Sequence, residues 1–172
     1  MPLQINDKDL YDGLARLMQA HSAAIDEGLQ DGADLVEADL KATRAHGDQS
    51  GATRASYRAF VIGNGKNGSA EAASGFAAAQ SALSGFGGHA GRALSQASSV
   101  RLAPHERGIL ATAYTDYQDK LETENGGAKA TLGPTVLGEA QPVTALVARA
   151  LKDAAESMDE IADAVGRLSG LR

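Results

Sequence analysis

The sequence predicts an α+β fold built from two long helices and two short strands. Two apolar stripes with a spacing of three to four residues indicate the helices, one at each end of the chain. Two short runs in which residue character alternates indicate the strands between them. Since 172 residues suit one domain with a sizeable core, residues 1–172 are interpreted as a single domain.

The N-terminal helix is predicted to run from Asn6 to near His46. Asn6 is a suitable N-cap, and aspartates in the first turn suit the positive end of the helix dipole. Gly28 and Gly32 each weaken a helix interior by roughly 1 kcal/mol relative to alanine, which predicts a bend or a close helix contact there. The apolar positions are Leu10, Leu14, Leu17, Ile25, Leu29, Val36 and Leu40.

The first strand is predicted over residues 54–62 and the second over residues 107–114. In the first, one face carries Ala55, Tyr57, Ala59 and Val61, and the other begins with Arg54, Ser56 and Arg58. This alternation is typical of a half-buried strand. In the second, Ile109, Ala111 and Ala113 alternate with Leu110, Thr112 and Tyr114.

Between the strands, residues 70–84 are predicted to form a helix that Gly75 weakens. Phe76, Ala79 and Leu83 have helical spacing there. Residues 85–96, GFGGHAGRALSQ, have the composition of a loop that orders only against a neighbour. After the second strand, Thr115 can cap a short helix that ends before Asn125.

The C-terminal helix is predicted to begin near Pro142 and to span about 25 residues. Proline suits the first turn of a helix because that N–H has no partner in any helix. One apolar stripe follows this segment, comprising Val143, Val147, Ala150, Leu151, Ala154, Met158, Ile161, Val165 and Leu168.

Composition limits the possible functions. Hydrophobic residues make up 43% of the chain, but only 4% are aromatic, so the core is expected to be thin. The absence of cysteine excludes disulfides, thiolate metal sites and a cysteine nucleophile. A net charge of −6 argues against a protein that grips DNA through clustered basic residues. No apolar run has the length of a membrane span, so we expect no membrane partner and a protein that stays where it is made.

The glycine-rich segment at residues 63–68, GNGKNG, follows a predicted strand and precedes a predicted helix, as a dinucleotide-binding loop does. Such a site also needs a parallel sheet and an acidic residue about 20 positions further on. No Asp or Glu occurs between Glu71 and Glu106, and Lys66 lacks the following Ser or Thr of a P-loop. We therefore predict an exposed loop and no bound cofactor.

No catalytic or metal site is predicted either. The histidines at 21, 46, 89 and 105 have no ligand partners at helical spacing, and an adjacent acid points away from its neighbour. The acidic segment 119–125 lacks the burial that separates the pKa values of catalytic carboxylates. No G-x-S-x-G motif is present. The expectation is a protein that is not an enzyme.

Three segments in order resemble the head-tail joining, or tail-completion, proteins of long-tailed bacteriophages. SGATRASYRAFVIG (50–63) resembles the family's T-G-x-L-R-x-S followed by a strand, with Ser50 at the threonine position and Thr53 at the leucine position. TAYTDYQDKLETENGG is similar to its strand, tyrosine and glutamate segment, with Tyr117 and Glu122 in matching places. LGPTVLGEAQPVTALVARALKDA resembles its proline-marked turn and closing helix.

The resemblance implies a small antiparallel sheet packed by the first and last helices. It leaves residues 64–106 as a long Gly/Ala-rich insertion loop and residues 156–172 as a C-terminal helical extension. It further implies a structural virion protein of the phage neck, a ring, expected to be a hexamer, assembled in the host cytoplasm. Its implied partners are other copies, the connector or stopper, the tail terminator or tail tube, and DNA that passes through without specific binding.

Residues on the insertion and around the second strand are the candidate contacts in this interpretation. Arg54 and Arg58 could pair with acidic residues of a neighbour, and a solvated strand face is the alternative. The remaining candidate interface residues are Phe76, Phe86, Tyr114, Tyr117 and Glu122. Alternative functions are a tail terminator or connector stopper, and, in another class, a helical adaptor that uses the stripe from Val143 to Leu168 as a helix-in-groove ligand.

Overall fold

A computed structural model describes residues 7–42, 51–63, 65, 68–91, 100, 102–104, 106–115, 123 and 132–169 of the chain. The described part is mostly helical and contains one small sheet, which confirms the α+β class. Its elements, in chain order, are α1 (Asp7–Ala42), α2 (Ala52–Ser56), β1 (Arg58–Gly63), α3 (Gly68–Ser84), β2 (Arg107–Thr112), α4 (Leu132–Gly138) and α5 (Ala140–Ser169).

The sheet consists of β1 and β2 paired antiparallel. The pairing runs from Arg58 opposite Thr112 to Gly63 opposite Arg107. Residues of alternate parity therefore face opposite sides of the sheet. Both predicted strands are present, although the first begins at Arg58, four residues later than expected, and the second ends two residues earlier than expected.

Helices cover both faces of this sheet. On one face, Ala59 and Val61 join Val36 and Leu40 of α1 in the main core cluster, against which Val143 of α5 also packs. On the other face, the cluster comprises Phe60, Ile62 and Ala72 of α3, with Val100 and Leu110 packed against it. The expectation of a half-buried first strand was therefore wrong, because α3 covers the apolar side chains on its second face.

α1 and α5 pack side by side and run antiparallel, at a close approach that Gly28 and Gly32 permit. A Cβ at position 28 would lie 2.6 Å from the Cα of Val147, and one at position 32 would lie 2.9 Å from a methyl group of Val143. Both positions therefore need glycine for packing. The predicted close helix contact is confirmed, and it fixes the two long helices on the same face of the sheet.

The segment before β1 is helical, although the alternation there predicted a strand from residue 54. Ser56 Oγ donates to the carbonyl oxygen of Thr53 at 2.7 Å, and Arg58 Nη1 donates to that of Ala55 at 3.0 Å. These side-chain bonds satisfy carbonyls at the end of a short helix, which a strand would leave for a neighbouring strand. The chain enters α2 through its N-cap residue Gly51, which has a φ of 79°.

The insertion at 64–106 is not a continuous loop in its described part. The helix predicted at 70–84 is present as α3, which buries Ala72, Gly75, Ala79 and Leu83. The chain then turns back onto the body, where the Ala90 N–H donates to Gln80 Oε1 at 2.8 Å and the Gly91 N–H donates to the Tyr114 carbonyl. Residues 85–91 are therefore held by their own subunit, whereas the rest of the predicted loop, 92–96, lies outside the described residues.

Gly63 permits the close approach of the two strands at the end of the sheet. It has a φ of 98°, and a Cβ there would lie 2.2 Å from the carbonyl oxygen of Glu106. The first glycine of the G-x-G-x-x-G segment is thus explained by strand pairing alone, without a nucleotide.

Gly63→Ala is expected to lower the free energy of unfolding by about 2 kcal/mol, because the end of the sheet must open to relieve both the backbone strain and the clash. Gly65→Ala is the matched control, since Gly65 also has a positive φ of 82° but nothing lies within 4 Å of the added methyl. Urea denaturation of both variants measures the difference. Equal losses in the two variants would contradict the close strand approach.

Candidate interaction site

Five of the seven predicted interface residues lie in the described part of the chain, and they do not form one surface. Phe86 is 50% exposed and lies beside Gly51. Arg54 is half-buried on α2. The two others predicted from the resemblance, Tyr117 and Glu122, lie outside the described residues.

Tyr114 is part of the core and is not an exposed contact. Its side chain is fully buried, its hydroxyl donates to the Ala72 carbonyl oxygen at 2.9 Å, and Phe76 packs on its ring edge to face at 5.9 Å. Burial raises the pKa of Tyr114 to about 12, although the nearby Arg58 charge acts in the opposite direction. The prediction of Tyr114 as an interface residue is therefore corrected, and the half-buried Phe76 serves the same cluster.

Arg58 binds groups of its own subunit. Its side chain is 13% exposed, it donates to the carbonyl oxygens of Ala55 and Tyr57, and its Nη1 lies 3.8 Å from Glu37 Oε1. The second Glu37 oxygen accepts from the Ala59 N–H at 2.9 Å, and Lys41 also pairs with this carboxylate. No sequence pattern pointed to Glu37, which lies 22 positions before Ala59.

Glu37→Ala is expected to lower the free energy of unfolding by about 2 kcal/mol, because it leaves Arg58 without its carboxylate and the Ala59 N–H without an acceptor. Glu37→Gln keeps an acceptor oxygen, so its free energy of unfolding should fall by about half as much. Glu156→Gln is the control, because its pair with Lys152 is exposed and is worth only about 0.5 kcal/mol. Urea denaturation at neutral pH measures all three, and equal effects of the two Glu37 variants would contradict the role of the Ala59 bond.

An exposed apolar surface lies on the N-terminal half of α1. Tyr11 and Met18 are each 70% exposed, and Leu14 between them is also exposed. A shallow groove of about 380 Å³ lies along this surface. Its lining comprises Leu17, Met18, His21, Ser22, Ile25 and Arg107. Apolar spacing alone could not separate these positions from the core positions further along the same helix.

A smaller apolar patch lies on α4, where Leu137 is 78% exposed and Val136 is also exposed. A second groove, of about 390 Å³, lies between α1 and α5 and is lined by both acidic and basic side chains, including Glu27, Asp31 and Arg149. Within the described ranges, no group of three or more His, Asp and Glu side chains is placed to hold a metal ion.

The strand before the glycine-rich segment pairs with an antiparallel strand, whereas a dinucleotide site lies at the end of parallel strands.

The described residues expose apolar surfaces on α1 and α4 to which another protein could bind. Among the helices of the described residues, none is long and apolar enough to cross a membrane.

Comparison of the chain with models of protein families, with curated proteins and with solved structures found no match in any of the three.

Proposed function

We propose that this chain is a structural protein of the neck of a long-tailed bacteriophage, a tail-completion or head-tail joining subunit. Copies would form a ring, with six subunits expected, around the channel between the head connector and the tail tube. The subunit would act by binding its neighbours and would catalyse no reaction.

The order of three segments along the chain is the observation that carries the proposal. The segments at 50–63, 112–127 and 132–154 resemble the family's segments in the same order, between a long first helix and a long last helix. The two-stranded antiparallel sheet against which α1 and α5 pack agrees with the fold that this resemblance implies.

The subunit exposes apolar side chains that contacts with other chains in an assembly would bury. Tyr11, Met18 and Leu137 are large apolar side chains with at least 70% of their surface exposed. Such side chains, grouped in patches, are typical of surfaces that bind other proteins. They belong to α1 and α4, so a ring subunit could meet different neighbours through different patches.

The net charge of −6 suits a conduit for DNA, because an acidic wall lets phosphates pass without binding them. A predominantly basic channel wall in the assembled ring would contradict this part of the proposal.

A tail terminator or a connector stopper is the alternative within the same assembly, and the position of the protein along the neck distinguishes them. The adaptor alternative is weakened by the packing of α5. Its stripe from Val143 to Leu168 would have to be free, but Val143 packs against the main core and the Val147 backbone lies against Gly28.

The proposal is tested by determining the mass of the purified protein, imaging it by negative stain, and imaging particles that lack it. Sixfold rings, or full heads beside unattached tails, are the expected results. A strict monomer together with intact particles would contradict the proposal. A monomer alone would not, because many ring proteins assemble only on their template.

A further inference from the structure

The exposed apolar surface of α1 continues the same helix face that packs on the sheet. Leu29, Val36 and Leu40 cover β1 and β2, and the stripe then continues toward the N-terminus at spacings of three and four residues. We name this part the α1 stripe; it comprises Tyr11, Leu14 and Met18, which are exposed, and Ser22 and Ile25, which are half-buried. The helix face that packs on the sheet is thus left exposed at its N-terminal end.

Arg107, the first residue of β2, marks the point where the cover ends. Its Nη1 donates to the Ser22 carbonyl oxygen at 2.8 Å, its Nη2 donates to Ser22 Oγ at 2.7 Å, and it lies 3.6 Å from Asp26 Oδ1. From Ser22 to Tyr11 the α1 stripe extends for about 17 Å, given the rise of an α-helix. Its three-four spacing is the spacing at which two helices pair along a seam.

We propose that the α1 stripe binds the α1 stripe of a second copy of this chain, in an antiparallel two-fold pair centred on Met18. With equal rise in both helices, Met18 faces Met18 of the second copy, Leu14 faces Ser22, and Tyr11 faces Ile25. A large side chain then meets a smaller one on both sides of the centre.

The position of the sheet favours the antiparallel direction. Each sheet begins at the Arg107 end of its own α1 stripe. An antiparallel pair therefore places the two sheets at opposite ends of the paired helices. A parallel pair would place both sheets at the same level, where they would compete for the same space beside the seam.

Charge complementarity supports the same register. Asp12 lies six residues before Met18, and Arg107 is held at Ser22 and Asp26, four and eight residues after it. Asp12 and Asp26 are fourteen residues apart, close to four whole turns, so they lie on the same side of α1. In an antiparallel two-fold pair, this side of one α1 lies next to the same side of the other α1. Asp12 of each copy is therefore at the level of Arg107 of the other.

The pair is expected to be weak, because two segments of about 15 residues bury less area than a standard stable interface of roughly 1,600 Å². We expect a dimer that forms at micromolar or higher protein concentration. The inference does not rest on the proposed function, since a two-fold pair of α1 stripes can form whether or not copies also assemble into a ring.

Disulfide trapping tests the pairing directly, because the chain contains no cysteine. Met18→Cys should crosslink to a species of twice the mass under mild oxidation and revert on reduction. Leu14→Cys alone should not, since those two positions lie about 12 Å apart along the seam. A mixture of Leu14→Cys and Ser22→Cys should crosslink, and Leu137→Cys is the control for random collision.

Efficient crosslinking of Leu14→Cys alone would overturn the antiparallel register. A Met18→Cys variant that is folded by circular dichroism, yet crosslinks no better than Leu137→Cys, would overturn the pairing itself. In sedimentation of the cysteine-free protein, Met18→Glu and Asp12→Arg should each weaken the dimer at least tenfold, whereas Asp12→Glu should leave it unchanged. A wild-type chain that stays monomeric at millimolar concentration would also contradict the proposal.

Discussion

Gly28→Ala is expected to lower the free energy of unfolding by about 3 kcal/mol, although alanine is the better helix former by roughly 1 kcal/mol. The added methyl would lie 2.6 Å from the Val147 Cα and 3.1 Å from the Leu146 carbonyl oxygen. Both are backbone atoms, so no rotamer change can relieve the clash. α5 must move away from α1, which loosens the contact between the two long helices along their length.

Gly13→Ala on the same helix is the matched control. Nothing lies within 4 Å of a Cβ at position 13, so this variant should be more stable than the wild type by up to about 1 kcal/mol. Chemical denaturation followed by far-UV circular dichroism measures both variants. A Gly28→Ala variant as stable as Gly13→Ala would contradict the packing of α5 on α1.

Tyr114→Ala is expected to cost about 3 to 5 kcal/mol, the usual range for removing a large buried side chain. The ring fills the space between α3 and the end of the second strand, where Ala79, Leu83 and Ala90 form a cluster around it. Tyr114→Phe should cost only about 1 kcal/mol, because it removes the hydroxyl and its hydrogen bond to Ala72 and leaves the ring in place.

The same tyrosine should make the protein sensitive to alkali. Its pKa is about 12 when folded, against about 10 in an unfolded chain, so the unfolded state loses the proton first. The resulting stabilisation is complete below pH 10 and is lost as the pH rises through 12, by about 2 to 3 kcal/mol in total.

Urea denaturation at pH 8 and pH 11 measures this loss. Tyr114→Phe should lose less stability between the two pH values than the wild type does, whereas Tyr11→Phe, at an exposed position, should behave as the wild type. An unchanged alkaline loss in Tyr114→Phe would contradict a buried neutral phenol.

Local patterns predicted the three longer helices and both strands, because the spacing of apolar residues reflects which faces are buried. They also placed a close helix contact at Gly28 and Gly32, where glycines in a helix need a reason. They did not predict the short helices α2 and α4. For Gly75, however, the sequence indicates only a weak point in a helix. In the structure it makes room for the Tyr114 hydroxyl, since a Cβ there would lie 2.8 Å from that oxygen.

Long-range partnerships could not be predicted in this way. The carboxylate of Glu37 binds the edge of β1, and Arg107 binds Ser22 across 85 positions. Neither pair leaves a periodic signal. Arg58 and Tyr114 were predicted as interface residues for the same reason. A single sequence does not show whether an arginine or a tyrosine contacts its own subunit or a neighbour.

The proposal that this chain joins phage heads to tails is tested by electron microscopy of phage particles produced without it. Full heads and complete but unattached tails are expected, with joining restored when the wild-type protein is supplied. Joining should be restored less well by Gly28→Ala than by Gly13→Ala. Intact, infectious particles in the absence of the protein would contradict the proposal.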